Sequence, residues 1–116
     1  SAASDVYKRQ EQLLSNILPV VDNFERALKS MSTAKDVAAL KEGVDLIYAN
    51  FKSFLTQNGV KEIETENADF NTDIHEAVTT IPAPAPELKG KVLDCIEKGY
   101  YLNDKVMRFA KVVVGE

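Results

Sequence analysis

From Leu14 onward the chain places apolar residues at Leu14, Ile17, Val21, Phe24, Leu28 and Met31, with spacings that alternate between three and four. That alternation predicts a helix carrying a narrow apolar seam. Pro19 falls inside the stripe. It lacks an N–H and its ring crowds the preceding turn, so a kink or break is predicted near Ile17 and Leu18, with helix resuming after it. Ser32-Thr33-Ala34-Lys35-Asp36 interrupts the pattern and offers hydroxyl caps for a second helix. That helix repeats the same spacing through Val37, Leu40, Val44, Ile47, Phe51 and Phe54, and Asn58-Gly59 supplies a terminator. Gly43 lies mid-helix, where glycine costs about 1 kcal/mol against alanine. Its presence predicts a close backbone approach by a neighbour. Residues 1–10 have no sustained apolar period and read as a tag or a truncated, frayed helix start.

After Gly59 the period changes. Val60 to Thr65 and Ala77 to Ile81 read as short strands, and Val92 to Glu97 alternates as a half-buried strand does. Gly99 to Leu102 and Val106 to Val114, separated by a polar Asn103-Asp104 turn, read as a β-hairpin. Several short strands between turn signals predict a small all-β module rather than a parallel sheet. Gly90 and Gly99 fall where turns or bulges are needed, and Pro82-Ala83-Pro84-Ala85-Pro86 reads as a rigid connector.

The predicted fold class is therefore α+β, a helical hairpin followed by a small all-β domain of short strands. The divisions are 1–10, then a helical hairpin over 11–59, then a β domain over 60–116. Leu18, Val20, Leu46, Tyr48 and Leu55 lie off the two seams and widen the apolar face. One hairpin would leave much of that face wet, and two hairpins meeting as a four-helix bundle would cover it. A homodimer is the expected state. Its interface would draw on Leu14, Ile17, Val21, Phe24, Leu28, Val37, Leu40, Val44, Ile47 and Phe51.

Charge and composition narrow the function. The 116 residues carry 14 basic and 18 acidic side chains, a net charge of −4. A general nucleic-acid binder needs a basic excess, so none is expected here. The charge is uneven: residues 58–87 hold one basic and seven acidic groups, whereas residues 88–116 hold six and four. Such asymmetry suits a patterned contact surface. No apolar run approaches the roughly 20 residues of a membrane span, and no secretory pattern opens the chain, so no membrane partner is expected. The single Cys95 cannot form an internal disulfide and reads as a small half-buried thiol, which fits a reducing, cytoplasmic setting.

Candidate chemistry is sparse. His75 is the only histidine, with Asp69, Asp73 and Glu76 nearby in sequence but without a second imidazole or metal-ligand spacing. It reads as a structural ring that hydrogen-bonds backbone at the corner where Phe70 enters the core, with Asn71 capping that corner. No Gly-x-Ser-x-Gly and no phosphate-cradling glycine loop are present. The expectation is a protein that is not an enzyme, with no catalytic residues, no metal and no cofactor.

Two motifs give a more specific reading. Phe70-Asn71-Thr72-Asp73-Ile74-His75-Glu76-Ala77 precedes Gly99-Tyr100 and Arg108-Phe109-Ala110-Lys111-Val112-Val113-Val114. Together they resemble the C-terminal signature of the GrpE family, nucleotide exchange factors of DnaK-type chaperones, over residues 12–116. The chain departs from that pattern at Thr72, where the family usually has proline. The resemblance implies a co-chaperone that binds and opens the ATPase domain of a DnaK-type partner and so promotes ADP release. It also implies a dimeric bundle fed by a longer N-terminal helix pair. Carried onto this sequence, it points to Ile96, Lys105 and Arg108 as chaperone contacts, with Gly43 matching a glycine of the second bundle helix. The alternative is a dimeric helical and β adaptor module with no exchange activity.

Overall fold

A computed structural model describes all residues, Ser1–Glu116. The chain forms two compact units, Ser1–Gln57 and Asn58–Glu116. In the first, α1 (Ala2–Met31) and α2 (Val37–Gln57) fold back on one another as a hairpin. No helix is long and apolar enough to cross a membrane.

α1 is a single helix of 30 residues that runs through Pro19 without interruption, so the predicted break does not occur. Proline removes one donor from the ladder, and the helix on both sides is long enough to carry that loss. Residues 2–10 are helical as well, with Ser1 Oγ accepting from the Ser4 N–H at 3.2 Å. The interhelical turn also differs from expectation in its caps. The Ser32 and Thr33 hydroxyls donate back to the carbonyls of Lys29 and Ser30 and so close α1. The start of α2 is capped by a carboxylate, Asp36 Oδ1, which accepts from the Ala39 N–H at 2.8 Å.

The face buried within this hairpin takes in only part of the stripes drawn from the sequence. Val20 and Ile47 are buried, and Ile17, Ala27, Met31, Leu40 and Gly43 are half-buried beside them. Leu14, Val21, Phe24 and Leu28 on α1, with Val37, Val44 and Phe51 on α2, remain exposed. At 100° per residue the apolar arc of α1 spans nearly half the helix, and α2 covers one flank of it. Gly43 meets no backbone of the hairpin. A methyl added there would sit at ordinary contact, 3.6 Å, from Met31 Cγ.

The second unit holds six strands: β1 (Val60–Glu62), β2 (His75–Ile81), β3 (Val92–Glu97), β4 (Tyr100–Leu102), β5 (Lys105–Arg108) and β6 (Ala110–Gly115). They form two three-stranded sheets, ordered β1-β4-β5 and β2-β6-β3. β6 pairs antiparallel with β3 but parallel with β2, so the all-β module expected from the sequence holds one parallel pair within a mixed sheet. The β2-to-β6 connection is long enough to bring the chain back in the same direction. The predicted hairpin is also shorter than its sequence pattern. β4 and β5 form it, and at Phe109 the chain leaves that sheet and continues as β6 in the other.

Val92, Ala110, Val112 and Val114 form the core with Ile63, and Phe70, Ile74, Tyr101 and Val106 pack against them. Val112 and Ala110 are wholly buried. Residues of both sheets thus meet in one small core.

Candidate functional site

The loops and corners of the second unit present the residues singled out from the motifs. Asn103 adopts a left-handed φ of 56° and its N–H donates to Gly59 O at 2.8 Å, which ties the β4–β5 tip to the entry of β1. Leu102 and Lys105 face each other across that tip. Lys105 and Met107 project outward while Val106 turns inward to the core, as strand alternation requires. The tip is therefore a lysine flanked by exposed apolar side chains, Leu102 and Met107. Sequence reasoning found the lysine but not these two neighbours. The period-two pattern of Lys105, Val106, Met107 and Arg108 was the signal available for Met107.

Ile96 lies on β3 and is 60% exposed. Arg108 ends β5, and its guanidinium faces backbone: Nε and Nη2 both donate to Lys98 O, at 3.0 and 2.6 Å. The same group lies over the Tyr100 ring, 5.3 Å from its centroid, and approaches Glu97 at 3.9 Å. Gly43 belongs to the helical unit. Beside Arg108 an open cavity of about 480 Å³ is lined by Thr72, His75, Glu76, Glu97, Phe109 and Lys111.

The His75 corner is built as a support. The ring is 2% exposed and stacks on Phe70 with centroids 6.0 Å apart. Nδ1 accepts from the Asn71 N–H at 3.0 Å and Nε2 lies 2.7 Å from Glu64 O, a pattern that assigns the neutral Nε2–H tautomer. With both nitrogens engaged by backbone, neither is available as a ligand or a general base. Asn71 Oδ1 accepts from the Asp73 N–H at 2.9 Å, so the corner is closed by a side-chain turn although Thr72 stands at its centre. Nearby, burial raises the pKa of the Tyr101 hydroxyl, and its hydrogen bond to Glu64 Oε2 at 3.1 Å adds to the effect.

A surface built this way offers a basic, partly apolar tip on a rigid support, with no nucleophile and no converging acid–base pair. Comparison with known proteins agrees with the motifs: the GrpE family model matches residues 3–116. The chain belongs to the GrpE family. It is 62% identical over 106 residues to the Protein GrpE of Bacteroides thetaiotaomicron, which covers 91% of this chain and 55% of that protein. The Porphyromonas gingivalis W83 counterpart is 54% identical over the same shares. That of Brachyspira hyodysenteriae is 40% identical over 98% of this chain and 58% of its own length. The chain spans about half the length of the curated relatives it matches.

Proposed function

We propose that this chain acts as the bundle and β-domain portion of a co-chaperone that promotes ADP release from a DnaK-type chaperone. The observation that carries this reading is family membership over residues 3–116. The physical requirement is modest. The protein must bind the open form of the partner's nucleotide cleft better than the closed form, and that difference in affinity shifts the population toward opening. ADP then leaves because the open cleft no longer encloses it. By linkage, ADP held in the closed cleft weakens the co-chaperone's binding by the same factor. No catalytic residue is needed.

Lys105 and Ile96 are the proposed direct contacts, each exposed on the second unit. Arg108 stands beside this surface, and Gly43 is a further proposed contact on the helical unit. Homodimerisation through the uncovered flank of the helices belongs to the same proposal, as does a cytoplasmic setting. Release of a fluorescent ADP from a DnaK-type chaperone, with and without this chain, tests it. Faster release is expected. An unchanged rate, even with the full-length protein, would leave the adaptor reading in its place.

A further inference from the structure

The chain passes between the two sheets of the second unit three times: through residues 63–74, at Lys98-Gly99 between β3 and β4, and at Phe109 between β5 and β6. The last two passages are only one or two residues long, and they run against each other. A methyl built on Gly99 would collide with the Ala110 N and the Arg108 carbonyl. Gly99 itself is buried, and its carbonyl accepts from the Ile63 N–H at 2.9 Å. The two short passages thus form a narrow waist on which the β1-β4-β5 sheet, with its Lys105 tip, is carried.

Arg108 spans this waist. Its backbone lies immediately before one passage, and its guanidinium grips the carbonyl of Lys98 at the start of the other with two N–H groups. The guanidinium carbon also lies over the Tyr100 ring, 5.3 Å from its centroid. We infer that Arg108 is a positioning residue, a clasp that holds the angle between the two sheets and so the placement of the Lys105 tip. The inference rests on the reading of Lys105 as a contact in the proposed function. A planar fork is what makes the clasp: lysine keeps the charge but presents one rotatable ammonium, which neither grips a carbonyl with two coplanar donors nor lies flat on an aromatic ring. A residue touching the chaperone through its charge alone would tolerate that exchange.

Three variants of the full chain separate the possibilities: Arg108→Lys, Lys105→Ala and the double variant. Binding to a DnaK-type ATPase domain is measured for each. Arg108→Lys is expected to weaken binding about five- to ten-fold, on the scale of one lost charge-assisted hydrogen bond. In the Lys105→Ala background it should add almost nothing, because a clasp acts through the tip it places. Full, independent losses in the double variant would overturn the inference and make Arg108 a direct contact. Wild-type affinity for Arg108→Lys, with Lys105→Ala weakened, would also overturn it.

Spin labels at Lys61→Cys and Thr79→Cys, one on each sheet, in a Cys95→Ser chain diluted with unlabelled protein, read the clasp without any partner. The distance distribution should widen in Arg108→Lys and in Arg108→Gln. If Lys105→Ala leaves binding unchanged, the contact reading fails and this distribution alone decides the clasp. A width equal to that of the parent overturns it.

Discussion

The two units solve the problem of burial in opposite ways. In the β unit, fewer than sixty residues enclose a continuous core of Ile63, Val92, Ala110, Val112 and Val114, sealed by a buried histidine whose polar atoms are both paired. In the helical unit, only Val20 and Ile47 are buried, while Leu14, Leu18, Val21, Phe24 and Leu28 lie open on α1 alone. Sheets folded over each other hide two faces at once. Two helices hide one flank of each, and the remainder of a wide apolar arc stays exposed. The β unit therefore has a core of its own, whereas the helical unit leaves most of its large apolar side chains at its surface.

The most severe test of this contrast is Gly99→Ala. Its added methyl meets backbone rather than a yielding side-chain end, so a loss of about 3–5 kcal/mol is expected. Thermal unfolding followed by the dispersion of β-unit amide signals measures it. The helical content should survive. If the helices melt together with the β unit in that variant, the two units are not energetically separate.

His75→Leu should be the next largest. It leaves the Asn71 N–H and the Glu64 carbonyl without their partners in a buried corner, at about 2–4 kcal/mol. Urea unfolding of the β-unit signals gives the value. A loss under about 1 kcal/mol would mean that water reaches the corner and that its polar closure is dispensable.

Phe24→Asp acts on the other unit. Phe24 is exposed within one hairpin, so a self-sufficient hairpin would hardly notice the change. If the open flank is covered by a second copy, the substitution should abolish the dependence of the helical melting temperature on protein concentration. It should also shift the sedimentation coefficient toward that of a monomer. Concentration-independent melting of the parent chain would break the comparison outright.

The smallest effect concerns Tyr101. Its hydroxyl is held protonated by burial and by Glu64, so its pKa is higher folded than unfolded. Its contribution is complete below the unfolded value of about 10 and declines as pH rises through the folded value. Tyr101→Phe should flatten the alkaline limb of the stability profile slightly and leave the neutral region nearly unchanged, as read by urea midpoints across pH 8 to 11.

The sequence by itself determined the helices, the strands and the supporting corner, because each rests on local or near-local physics. Apolar spacing sets the helices. Alternation sets β3. The left-handed turn at Gly59 and the Asx closure at Asn71 follow from residue chemistry. The His75 corner was legible because a lone histidine next to Asn71 has few other ways to satisfy its ring. Membership of the GrpE family was legible too, since its two motifs survive the departure at Thr72.

Tertiary structure alone decided five further features. Which flank of each helix α1 and α2 share was hidden, because the arc is wide enough for two seams and the sequence does not say which is covered first. The continuity of α1 through Pro19 depended on the length of helix available to carry one missing hydrogen bond. The parallel pairing of β2 with β6, and the switch of sheets at Phe109, came from closing two sheets over one core, a constraint between residues more than thirty positions apart. Arg108 belongs with these. A basic residue at the end of a strand looks like a surface charge until the carbonyl of Lys98, ten residues earlier, is brought beneath it.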